Sequence, residues 1–224
     1  MIKRVIHTAI TLAVLLVSCR QDDLPDSMPT AHEGYVALRF SADIPAMQEV
    51  VTRSVDPDGG GVQDMTLFCF DSYGLFTTTV EAKVTPTGNG AGLTGNFEAE
   101  VPENTRTVHF LANQNMSEFK EDKFRNKSEA EVMALLEGSS GRMIYWARFT
   151  CDPDNDSKID AQMADKGNTI KMIRNHAQVS IDNPINGWIE VTGFVAYNTN
   201  AFGTVAPYHP EKGFDFEWPG EDDP

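Results

Sequence analysis

The sequence predicts an all-β protein, an antiparallel β-sandwich with one short helix. Three observations carry this. Residues 35–44 alternate apolar and other side chains over ten positions; further apolar runs recur at short intervals between Gly, Pro, Asn and Asp clusters; and only one segment shows a helical period. In order, Val36, Leu38, Phe40, Ala42 and Ile44 line one face of a half-buried strand that Pro45 ends. A loop from Ala46 to Gly61 holds Arg53 and three consecutive glycines. Val62 to Asp71 is a second strand. Its run Met65 to Phe70 is apolar on both faces apart from Thr66, so it is expected inside a sheet. Asp71-Ser72-Tyr73-Gly74 has turn chemistry, and the threonine-rich stretch Leu75 to Val84 continues as a strand. Gly88-Asn89-Gly90 turns the chain into Leu93 to Val101, and Arg106 to Ala112 is again apolar and closes at Asn113.

Ser128 and Glu131 are spaced as a capping box ahead of Val132, Leu135 and Leu136, with Gly138 as the stop, which predicts the short helix. Arg142 to Thr150, Thr169 to Asp182, Trp188 to Tyr197 and Gly203 to Ala206 read as the remaining strands.

The first residues have a different purpose. Lys3 and Arg4 precede an apolar stretch, Val5 to Val17, shorter than the roughly 20 residues a membrane-spanning helix needs. It reads as a signal segment that is removed. Leu16-Val17-Ser18-Cys19 resembles the lipobox of bacterial lipoproteins, which makes Cys19 the acylated first residue of the mature chain. Several acyl chains there would anchor the protein, each buried methylene contributing about 0.8 kcal/mol. Arg20-Gln21-Asp22-Asp23 resembles the acidic export tag of Bacteroidetes surface lipoproteins, and Asp26-Ser27-Met28 their O-glycosylation signal, with Ser27 as acceptor. The organisation expected is thus a signal peptide over 1–18, a flexible tether over 19–34, a sandwich over 35–212 and an acidic tail over 213–224.

The formal charge is −15, and removal of Lys3 and Arg4 makes the mature chain two units more negative. Such a chain lacks the Lys/Arg excess that nucleic acid or an anionic lipid surface requires. Beyond Cys19 only Cys69 and Cys151 remain; they either form a disulfide or stay as buried thiols. Asp152, Asp154 and Asp156 alternate as hard-cation ligands do. Ser157 and Met163 stand where a calcium loop needs glycine and glutamate, which favours a solvated acidic loop and no metal. No nucleophile elbow, phosphate loop or Cys-x-x-Cys is present, and His109 and His176 lack partners at zinc-site spacing, so neither an enzyme nor a cofactor is expected. Trp146 and Trp188 fall in strand patterns and read as core, while Trp218 sits in the tail.

Several segments together resemble the Bacteroidales fimbrillin family, the subunits and anchors of type V pili. They are Val36 to Ile44, Thr52-Arg53-Ser54, Phe70-Asp71-Ser72-Tyr73-Gly74, Val108 to Asn113, Ile173 to Val179, Gly193 to Asn198 and Gly203 to Pro207. Gln178 departs from the usual lysine, and the family usually continues into a second domain beyond a point such as Pro224. The resemblance implies a Greek-key sandwich of transthyretin-like type and an outer-membrane, outward-facing lipoprotein. It also implies cleavage of the Arg53-Ser54 bond by an Arg-specific protease, and assembly with other fimbrial subunits by donor-strand insertion into the groove that Val36 to Ile44 vacates. Adhesion to host or bacterial surface ligands would follow. The alternative reading is a monomeric glycan-binding surface lipoprotein of a nutrient-uptake system.

Overall fold

A computed structural model of the chain describes residues 31–44, 62–86, 95–114, 116–117, 119–139, 143–175, 193, 195, 202–209 and 211–214. These residues belong to one compact unit, Ala31–Pro224. The strands are β1 (Tyr35–Asp43), β2 (Met65–Phe70), β3 (Phe76–Glu81), β4 (Lys83–Pro86), β5 (Gly95–Pro102), β6 (Thr107–Ala112), β7 (Glu137–Ser139), β8 (Tyr145–Thr150), β9 (Thr169–Lys171), β10 (Ile173–Arg174) and β11 (Phe202–Thr204). The helices are α1 (Glu129–Ala134) and α2 (Ile159–Asp165), with a single 3-10 turn at Glu121–Lys123. One sheet has the order β4-β5-β1-β9 and the other β10-β8-β6-β2-β3; β7 and β11 pair separately.

The all-β sandwich predicted from the sequence is therefore the fold observed. It departs from the prediction in four ways. The stretch expected as one strand from Leu75 to Val84 breaks at Ala82, whose N–H donates to Met65 O at 2.9 Å. β3 lies in one sheet and β4 in the other. The strand expected from Thr169 bends at Met172, which is wholly buried, so β9 and β10 also belong to different sheets. Strands that switch layers close both edges of the sandwich, as corners do in orthogonal packings. The pairing is not wholly antiparallel either, because β1 and β9 run parallel over Ser41–Asp43 and Thr169–Lys171. Finally, α2 is a second helix where an acidic loop was expected. Ile159 and Met163, four residues apart, both reach the main core.

The main core fills the space between the sheets. A second core lies on the outer face of the five-stranded sheet, where Phe68, Phe70, Leu111 and Trp146 meet Phe124, Val132, Met133, Leu136, Val205, Ala206 and Phe214. All six residues of β6 are buried as a result. Phe214 and the Gly213–His209 bridge show that the fold runs past residue 212, into the segment expected to be tail.

Local chemistry explains the element ends. Asp71 Oδ1 accepts from the N–H groups of Tyr73 and Leu75 at 2.8 and 3.0 Å, and Gly74 takes φ +70°, the conformation glycine adopts without strain. The capping box forms as predicted: Ser128 Oγ accepts from Glu131 N–H at 3.4 Å, and Glu131 Oε2 accepts from Ser128 N–H at 2.9 Å. Along α1, Met133 is buried in place of the expected Leu135, which is exposed.

Candidate functional site

The sequence pattern of β1 is realised residue by residue. Val36, Leu38, Phe40, Ala42 and Ile44 are all buried, and Tyr35, Arg39 and Asp43 are exposed. Each of the larger four contributes about 1.5–3 kcal/mol by leaving water. Phe40 is the central contact: it stacks on Phe97 of β5 at 5.4 Å between ring centroids and meets Phe110 of β6 edge-on at 5.0 Å across the sandwich.

The backbone of β1 is held unequally on its two sides. On one side it pairs antiparallel with β5 along seven positions, from Tyr35 opposite Pro102 to Ser41 opposite Asn96. On the other, only Ser41–Asp43 meet a strand, β9. α2 packs beside β1 as well, with Ile159 and Met163 in the same core. On the solvent face the ties are exposed and polar: Arg39 Nε to Glu98 Oε1 at 3.3 Å, His32 to Glu100, and Ser41 Oγ to Thr169 Oγ1 at 3.1 Å. The hydrogen bond to Glu100 raises the pKa of His32, and the same bond lowers that of Glu100. Exposed pairs of this kind contribute little. β1 is a strand held chiefly by one apolar face and one long ladder, in a slot whose walls are β5, β9 and the facing β6.

The outer face of the five-stranded sheet holds the other concentration of chemistry. His109, fully buried on β6, lies 3.0 Å from both Trp146 Nε1 and Glu129 Oε1. Indole N–H is only a donor, so His109 Nδ1 accepts from Trp146 and Nε2 carries the proton toward Glu129. Arg148 reaches the same carboxylate in a fork, Nε to Oε1 at 2.7 Å and Nη2 to Oε2 at 3.1 Å. Burial lowers the pKa of His109 and keeps the ring neutral, although the Glu129 contact opposes this. Burial also works against ionised Glu129, but the hydrogen bonds from His109 and Arg148 and the Arg148 charge outweigh it and hold the carboxyl at about 2. Phe214 closes the cluster edge-on to His109 at 4.8 Å. No element of this arrangement is a nucleophile, and its geometry is that of a clamp joining α1 to β6 and β8.

Cys19, Ser27, Arg53 and Ser54 lie outside the described residues. Cys69 and Cys151 are free buried thiols, which decides between the two alternatives left open by the sequence. Cys69 is opposite Val108, Val108 is opposite Phe149, and Cys151 lies two residues further along. Two strand spacings of about 4.8 Å separate them, beyond the reach of a disulfide. Burial pushes the Cys69 thiol up to about 12 and raises that of Cys151. The acidic loop is closed by Gln162, whose Oε1 accepts from Asp152 N–H at 2.8 Å and whose Nε2 donates to the carbonyls of Asn155 and Ser157. Asp152 Oδ1 accepts from Asp154 N–H. Among the described residues no group of three or more His, Cys, Asp or Glu side chains is arranged to hold a metal. Trp146 is a core residue, as predicted.

No protein-family model and no curated protein matches the chain. A crystal structure of a fimbrial assembly protein from Parabacteroides distasonis aligns with 62% of this chain and 54% of its own, at 12% identity and a TM-score of 0.33. The chain spans about half the length of that structure, and at such a score the alignment transfers no role to any residue. Among the described residues no helix is long and apolar enough to cross a membrane.

Proposed function

We propose that the protein is a lipid-anchored, outward-facing surface protein of the fimbrillin type, a pilus subunit or anchor that assembles by strand exchange and serves adhesion rather than catalysis. The observation that carries this reading is the manner in which β1 is held. It has four alternating inward apolar side chains, continued by Ile44 just beyond it, one long ladder and one three-residue contact, and its only covalent route to β2 runs through the segment that contains Arg53. A strand of that kind leaves behind a groove with two backbone walls and an apolar floor, which another extended segment can fill. Cys19 supplies the anchor; cutting after Arg53 would part the anchor from the domain.

Digestion of the purified mature protein with an Arg-specific protease tests this. The expected result is a new N-terminus at Ser54, loss of the fragment that carries Val36 to Ile44, and oligomers that the Arg53→Ala variant does not form. Retention of a monomer that keeps β1 after cutting would overturn it. A monomer with affinity for oligosaccharides would point to the glycan-binding alternative.

A further inference from the structure

A cleft of about 220 Å³ lies at the C-terminal end of α2, where the chain turns into β9. Its floor is Phe149, Met163 and Ile170, all buried and all apolar. Its rim is Lys166, Asn168 and Lys171, the two lysines exposed and Asn168 half-buried. The cleft is smaller than the roughly 300–1,000 Å³ of sites that hold drug-sized molecules, so it suits a single small ring.

The end of the helix sets the rim. The N–H groups of Lys166, Gly167 and Asn168 return to the carbonyls of Met163 and Ala164, and Gly167 and Asn168 take φ +83° and +54° to turn the chain out of α2. The backbone of Asn168 is thereby engaged, its N–H on Met163 O and its carbonyl with Ser41 N–H, while its side chain lines the cleft. Two other lining groups are committed elsewhere: Thr169 Oγ1 is bonded to Ser41 Oγ and Gly167 O, and Arg148 is forked to Glu129. The lysines are different. Among the described residues neither ammonium is within ion-pair distance of a carboxylate, in a chain of formal charge −15. Asp43 stands opposite Lys171 in the register and offsets part of its charge, so Lys166 dominates, with its ammonium 5.2 Å from the Phe149 ring centre.

We propose that this cleft binds a sugar acid, the terminal hexuronate of an acidic glycan. The carboxylate is held by Lys166 with Lys171, the C–H face of the pyranose ring rests on the apolar floor, and a ring hydroxyl accepts from the Asn168 side-chain amide. Each feature of the site matches one feature of such a ligand. The lysines select against neutral hexoses, and the floor selects against carboxylates that lack a ring.

The probes are glucuronate and galacturonate, titrated into the full mature chain and followed by amide chemical shifts, with methyl glucoside and N-acetylglutamate as controls that keep only the ring or only the carboxylate. At least one uronate is expected to give saturable shifts at Phe149, Lys166, Asn168 and Lys171, with a dissociation constant on the order of 1 mM that rises with salt. The exposed-site double variant Lys166→Gln/Lys171→Gln is expected to weaken it about tenfold while the shifts of the two cores stay in place. The inference fails if neither uronate saturates, if the shifts fall outside the cleft, if either control binds as tightly as the uronate, or if the double variant leaves binding unchanged. The cleft is the same whether the chain polymerises or stays a monomer, so none of these outcomes depends on strand exchange or on cleavage at Arg53.

Discussion

The two sheets of the sandwich are buried to different depths. In the sheet β4-β5-β1-β9 one face is core and the other is wet, and the solvent side of β1 carries exposed polar ties. In the sheet β10-β8-β6-β2-β3 both faces are covered, the outer one by α1, the 3-10 segment and the residues around Phe214. His109, Glu129, Arg148 and Trp146 lock that cover in place. The difference divides the molecule into a frame and a fitted piece: β6 cannot leave without dissolving two cores, whereas β1 can leave at the expense of one.

Substitutions on the two sides of a single contact break this comparison most strongly. Phe110 and Phe40 touch edge-on, yet Phe110→Ala is expected to cost the frame about 3–5 kcal/mol in urea unfolding. Phe40→Ala is expected to cost the frame less, because its effect is capped by the free energy of detaching β1. Equal losses would erase the distinction. Next in size is Glu129→Gln, which leaves the largely buried Arg148 fork without its anion and is expected to cost about 2–3 kcal/mol, read from the same unfolding curves.

The clamp also has a pH signature. His109 has a lowered pKa in the fold, so its contribution is present above its ordinary value of 6.5 and is lost as pH falls through the folded value. Glu129, held at about 2 against an ordinary 4.5, contributes above 4.5 and loses that contribution as pH falls toward 2. Both act in one direction, so unfolding free energy should drop below pH 6.5 and drop again in stronger acid, and His109→Gln should flatten the first step. Smallest is Ser128→Ala, which removes the α1 cap and is expected to lower the melting temperature by the equivalent of about 1 kcal/mol.

The sequence made the fitted piece more legible than the frame. β1 declares itself through period two alone, and the capping box announces α1, because both are local rules. The break at Ala82 has no local mark, since the chain changes sheets there to follow its tertiary neighbours. α2 did leave a sign, Ile159 and Met163 at helical spacing, but the carboxylates around it invite a reading as a cation loop that Gln162 in fact closes. The His109 clamp joins residues 19 to 37 positions apart on a strand, a helix and another strand, and no spacing rule connects them. The parallel contact of β1 with β9 is hidden for the same reason.

Native-state hydrogen exchange on the intact chain tests the division most directly, by comparing amides of Leu38 to Ala42 in β1 with those of Val108 to Leu111 in β6. The account predicts that the β1 amides exchange through an opening at least about 2 kcal/mol easier than the global unfolding that releases β6. Exchange of both strands at one common free energy would contradict it.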